Sequence, residues 1–153
     1  MVREETPVVI VPDINLLLYA HFSEFAQHGE ARRWWQELLG GREPVGVPWS
    51  VSIGFLRVTT HPNKLTMPLT LEQAVAVVES WLSLPHVSVL QPGSEHLSVL
   101  AEVLTAAGRG GNVVPDAHLA AVEFEHYAEV HTNDRDFARF PGLRWRNPLQ
   151  DFG

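Results

Sequence analysis

The sequence predicts an α/β fold, with helices on both faces of a mainly parallel central sheet of about five strands, in a single domain spanning residues 1–153. Three observations carry this. Short apolar runs alternate with segments of helical period along most of the chain, the pattern of a parallel sheet with helical crossovers. A length of 153 residues suits a single domain. No internal repeat, linker or low-complexity tract divides it.

Taken in order, Val8–Val11 reads as a short buried strand and INLLLYAHF as the helix after it. GEARRWWQELLG reads as a second helix, with Ala31, Trp35, Leu38 and Leu39 on one stripe and Gly40 as its stop. Trp34 and Trp35 are adjacent, so one helix face cannot bury both fully: either one is exposed for a partner or both pack partly at the core edge. EPVGVPW reads as a short strand, and SVSIGFLRVTTH as a helix that ends before Pro62. TLEQAVAVVESWLSL opens with a capping box from Thr70 to Gln73 and carries a stripe of Leu71, Ala74, Val75, Val78, Trp81 and Leu82. HVSVLQP is a strand. The next helix, SEHLSVLAEVLTAAG, has Leu97, Leu100, Ala101 and Leu104 on one face and closes at Gly108. GRGGN lacks Walker spacing and its Lys, and reads as a turn. DAHLAAVEFEHY is a helix with Asn112 as a cap upstream, AEVHT a strand, RDFARF a helical turn and LRWRN the last strand.

Composition narrows the class. There is no Cys, which argues against a disulfide scaffold or Cys-ligated zinc and fits a cytoplasmic protein. No stretch approaches the roughly 20 apolar residues of a membrane span, and MVREETPVV has no long apolar core, so no signal peptide is read. The net charge of −7 works against loose, sequence-blind nucleic-acid binding, although all but one of the 11 cations are Arg, the better residue for bidentate phosphate contact. Among the eight His no HExxH or His-x₃-His pair exists, and His118, two residues past Asp116, turns away from the same helix face.

The acidic residues carry the chemistry. Asp13 follows the first strand, Asp116 stands in NVVPDAHLAA, and Asp134 in HTNDRDF with Asp136 close behind. In an open α/β sheet ligands bind beyond the carboxyl ends of the strands, which is where Asp13 lies. Helix capping accounts for a single Asp at such a junction. It does not account for TNDRD, which packs two carboxylates beside the oxygen donors Thr132 and Asn133. Two carboxylates about 4 Å apart repel by about 4 kcal/mol at an effective dielectric near 20. Three such pairs rival the roughly 5–15 kcal/mol stability of a whole domain. A cluster of Asp13, Asp116 and Asp134 would therefore take up protons or a cation, and all-oxygen ligands select Mg²⁺ or Mn²⁺.

VPDINLLLYA, GFLRVTTHP and PDAHLAAVEFEHYAEVHTNDRDFARFPGLRWRNPL together resemble a PIN domain of the VapC toxin type, over nearly the whole chain. The resemblance implies a three-layer α/β/α fold and a Mg²⁺- or Mn²⁺-dependent endoribonuclease, inhibited by a VapB-type antitoxin and commonly homodimeric. By position it makes Asp13, Asp116 and Asp134 the metal-binding and catalytic residues, with Asp136 auxiliary. Thr132 matches the polar residue before the last acidic position. In one respect the chain departs: the family's second acidic residue, a Glu on the helix before FLR, is replaced by Gly54, which points to one ion rather than two. Glu123, seven residues past Asp116 on its helix and so about 10.5 Å along the axis, is a poor substitute.

Arg57 shares a helix face with Gly54 and is a candidate phosphate contact, and Asn15 a candidate for orienting Asp13. Three rival readings stand beside this one. The first is a catalytically weak or dead PIN fold that binds RNA or antitoxin. The second, a phosphotransfer receiver, is disfavoured because Lys64, the single Lys, lies in a loop. The third, a phosphatase needing Asp-x-Asp after the first strand, meets Asn15 at the second position.

Overall fold

The structure is a computed structural model that describes residues 8–149; the opening MVREETP and closing QDFG lie outside the described residues. Strand β1 is Val9–Pro12, followed by α1 (Ile14–His21), α2 (His28–Gly40), β2 (Val45–Gly46), α3 (Trp49–Thr59), α4 (Leu71–Leu82), β3 (Val87–Ser88), α5 (His96–Ala107), α6 (Val114–His126), β4 (Ala128–His131) and β5 (Trp145–Arg146). Short 3₁₀ turns at Gly111–Val113 and Arg135–Arg139 precede α6 and β5. All four strand pairings are parallel, in the order β3-β2-β1-β4-β5. The chain builds outward from β1 through β2 to β3, then returns to lay β4 on the other side of β1. That reversal opens a crevice beyond the carboxyl ends of β1 and β4. Pro12 is in register with His131 there, and the Asp13 N–H donates to the His131 carbonyl at 2.8 Å.

Alternation along β4 sends its side chains to both faces. His131 is buried under α2 and accepts a hydrogen bond from the Trp34 indole (3.0 Å), so its other nitrogen carries the proton donated to Glu129 (2.8 Å). Its neighbour Thr132 points toward Asp13. Both Trp34 and Trp35 are buried, the packed one of the two arrangements left open by the sequence, and more deeply than at a core edge. Two residues 100° apart on one helix can each find a different partner. Trp34 packs on the sheet, whereas Trp35 meets Trp81 of α4 edge-on at 5.6 Å. Trp81, Phe55 of α3 and His21 of α1 complete an aromatic cluster, with Phe55–Trp81 centroids 4.8 Å apart.

The capping box at Thr70 and Gln73 is present, with both hydrogen bonds made. Two stripes are narrower than the periodicity predicts. On α4 only Ala74, Val78 and Trp81 are buried, while Leu71 and Val75 are exposed because the helix covers the core with one face. On α5, Leu97 and Ala101 are exposed and Val103 is the buried residue, since the helix packs mainly on α6 and turns that side inward. Asn112 is not the α6 cap: the 3₁₀ turn runs straight into the helix, Val113 holds the cap position, and Asp116 sits in the first turn after Pro115. The strands at 45–46, 87–88 and 145–146 are shorter than the apolar runs that announce them.

Glu123 on α6 is 3% exposed, and its Oε2 has no hydrogen-bond partner. Burial pushes its carboxyl up to about 7, with a further push from Glu129, against the opposing pull of the Arg144 N–H and guanidinium. The folded-state value lies above the unfolded 4.5. The folded state therefore holds the proton more tightly, and stability is lost as pH rises through this window. Glu123→Gln is expected to flatten the pH dependence between about 4.5 and 7 and to raise stability at pH 8 by about 1–3 kcal/mol, read from urea unfolding at pH 5 and pH 8.

Candidate metal centre

The first carboxylate is positioned by the end of β1. Asp13 caps α1, and its Oδ1 accepts from the Ile14 N–H at 2.8 Å. Its Oδ2 accepts from the Thr132 hydroxyl at 2.8 Å, and Thr132 is fully buried. Only 6% of Asp13 is exposed, and burial raises its carboxyl above the usual range despite these two bonds, with the Asp134 charge adding to the rise. Thr132 works twice: its oxygen also accepts the Asp134 N–H at 3.0 Å. Asp134 in turn caps the 3₁₀ turn through the Asp136 N–H at 2.8 Å.

Asp116 enters from α6. Its carboxyl is pushed up to about 6, first by burial and then by the charges of Asp13 and Asp134, with Asp136 adding and Arg139 opposing. Asp116 thus feels the charges of Asp13 and Asp134, which places the three carboxylates in one neighbourhood although they come from three separate segments of the chain. Among the described residues no three Asp, Glu or His side chains are gathered tightly enough to hold a metal ion as they stand. Like charges that repel favour the looser spacing. The donor set is nonetheless all oxygen, acidic and partly desolvated, and that chemistry fits a hard divalent cation.

The remaining candidates divide. Asp136 is exposed and pairs with Arg139 at 3.1 Å. Asn15 does not touch Asp13; its Oδ1 faces the Asn133 N–H at 3.5 Å, at the long limit of such a bond. Arg57 is exposed on α3, and the cation that acts on Asp116 is Arg139 instead. A Cβ at Gly54 would stand 2.9 Å from Ile14 Cδ1, so α3 meets the start of α1 there and supplies no carboxylate. Glu123 lies apart, under Arg144. Among the His residues, His118 bonds His96 at 2.9 Å, and His96 bonds Glu125, tying α5 to α6.

Sequence reasoning missed Arg139 as a partner of the acidic group and Asn147 as its neighbour. An Asp-x-x-Arg spacing in a helical turn was the available signal for Arg139. No local pattern signals Asn147, whose contacts come from tertiary structure.

A parallel sheet with carboxylates converging at its switch point defines the class: an α/β domain with an acidic, cation-type site. The PIN domain family model matches residues 10–143. Ribonuclease VapC33 of Mycobacterium tuberculosis is 41% identical over 143 residues, covering 94% of this chain and all of that protein. Ribonuclease VapC37 of the same organism is 38% identical over 138 residues, covering 90% and 96%. The chain belongs to the PIN domain family, in its VapC branch. The fold agrees with solved structures. Rickettsia felis VapBC2 bound to a promoter DNA fragment aligns with a TM-score of 0.64 at 19% identity, covering 92% of this chain and 98% of that one. Mycobacterium tuberculosis VapC20, a sarcin-ricin loop cleaving toxin, aligns at 0.64 and 20%, covering 88% and 98%.

Proposed function

We propose that this protein is a toxin-type endoribonuclease that depends on a divalent cation, Mg²⁺ or Mn²⁺, and is inhibited by a VapB-type antitoxin. The observation that carries this is the hydrogen-bonded link from Asp13 through Thr132 to Asp134, with Asp116 near enough for both their charges to act on its carboxyl. Relatives named as VapC ribonucleases, matching nine-tenths or more of the chain, support the reading.

Asp13, Asp116 and Asp134 would hold one cation, since Gly54 brings no fourth carboxylate. A cation bound there supplies Lewis acidity toward a phosphodiester and lowers the pKa of a bound water. Ile14 and Thr132 keep both oxygens of Asp13 aligned, so little reorganisation is left for the reaction. Thr132 links that alignment to Asp134, and Asp136 is an auxiliary carboxylate at the rim. In the hydrolysis, water adds to phosphorus, one P–O ester bond breaks, and the leaving oxygen takes a proton. Arg57, exposed on α3, is assigned to the RNA backbone, where a guanidinium meets phosphate bidentately. A homodimer in the cytoplasm completes the reading. No described helix is long and apolar enough to cross a membrane.

The test is purified protein with total RNA, with Mn²⁺ and with a chelator. Cleavage with Mn²⁺ that stops on chelation is the expected result. A second reading, a non-cleaving RNA or antitoxin binder, is favoured by Gly54, and it is read out as RNA retained without cutting under both conditions.

A further inference from the structure

We infer that Asn147 is a positioning residue for the acidic site; the inference rests on the cation reading above for its consequence, but not for its geometry. Asn147 follows β5 directly and is 8% exposed. Its Oδ1 accepts the Leu149 N–H at 3.0 Å. That bond settles which way the amide points, because a backbone N–H can only meet the oxygen. The Nδ2 group then donates to Asn133 Oδ1 at 2.8 Å.

Asn133 stands between Thr132, which binds Asp13, and Asp134. Its only other described bond is the long one from its N–H to Asn15. The clamp from Asn147 is therefore the short bond that holds Asn133 itself to the segment after β5. One residue earlier, the Thr132 N–H donates to the Arg146 carbonyl at 3.0 Å, so the β4 and β5 ends are joined by two successive bonds. The second of these is a side chain whose two ends are both used. A strand exit needing only burial would be filled by an apolar residue, as the buried position of Leu149 is two residues on. A buried amide is retained here because it places the loop that presents Asp134. Outer partners of this kind hold ligating carboxylates in orientation.

The experiment compares Asn147→Ala, Asn133→Ala and the double variant with the unmodified chain. Amide hydrogen exchange at Asp134 and Asp136 is followed in cation-free protein, and Mn²⁺ binding by calorimetry. The Asp134 and Asp136 N–H groups are bound by Thr132 and Asp134 respectively, so they report the loop directly. Each single variant is expected to exchange these two amides about 10-fold faster or more and to weaken Mn²⁺ by about 10-fold or more. The double variant is expected to be no worse than the poorer single, as for two residues on one path. The inference is overturned if melting temperature falls while exchange at these amides and Mn²⁺ affinity stay within about two-fold, or if the two effects add. Should the unmodified chain take up no Mn²⁺, the cation reading fails and the exchange arm still decides the role of Asn147. If Asn147→Ala does not fold, Asn133→Ala, at a half-buried position, gives the answer alone.

Discussion

Asp13→Asn is expected to reduce RNA cleavage by more than about 100-fold, beyond the roughly 10–100-fold that loss of an outer partner costs. The substitution is nearly isosteric. Asn remains a good cap for α1, with its oxygen placed to accept the Ile14 N–H. The new amide faces the Thr132 oxygen, which already accepts the Asp134 N–H and has a second lone pair to offer. What disappears is charge, and with it the attraction for a divalent cation. The same change should leave the melting temperature unchanged or raise it. The folded-state carboxyl of Asp13 is shifted upward by burial, so the ionised form at neutral pH works against folding. Lost cleavage with intact stability is the signature of a site held at the expense of the fold. A variant that still cuts RNA at the original rate would remove Asp13 from the chemistry.

Trp81→Ala is expected to cost about 4 kcal/mol, the middle of the range for a buried large aromatic. Trp81 is 1% exposed and is the largest of the fully buried side chains. Its ring lies against Phe55, Trp35 and His21, which come from α3, α2 and α1, so three helices converge on it. Filling the hole would require three helices to shift together, so little of the cavity relaxes away. Against a total of roughly 5–15 kcal/mol the loss is large. Urea unfolding followed by the remaining indoles should show a midpoint lowered by about 2 M. Leu71→Ala on the same helix serves as the contrast: that side chain is 67% exposed, and a change below about 0.5 kcal/mol is expected.

Those two positions also show what could be read without coordinates. Leu71 and Trp81 belong to the same predicted stripe, and periodicity cannot tell them apart, because a helical period marks a face without saying how wide an arc its neighbours cover. Trp34 and Trp35 were left open for the complementary reason: α2 is covered over two directions, by the sheet and by α4, and only the assembled layers supply the second. The five strands and six α-helices were legible because alternation of apolar runs and helical periods is a local property. So was the placing of Asp13 directly after β1 and of Asp134 in the exit from β4, at the carboxyl edge.

The sequence by itself determined that the chain alternates strand and helix, that its strands run parallel, and that acidic residues end two of them and open a late helix. These follow from nearest-neighbour physics: side-chain period, turn chemistry and capping. Only the tertiary structure decided that β4 returns beside β1, that Thr132 joins Asp13 to Asp134, that Asn15 reaches Asn133 rather than Asp13, and that Asn147 holds the loop. Each of these depends on segments far apart in the chain, and hydrogen bonds across such distances exist only after the sheet order brings their donors and acceptors within about 3 Å.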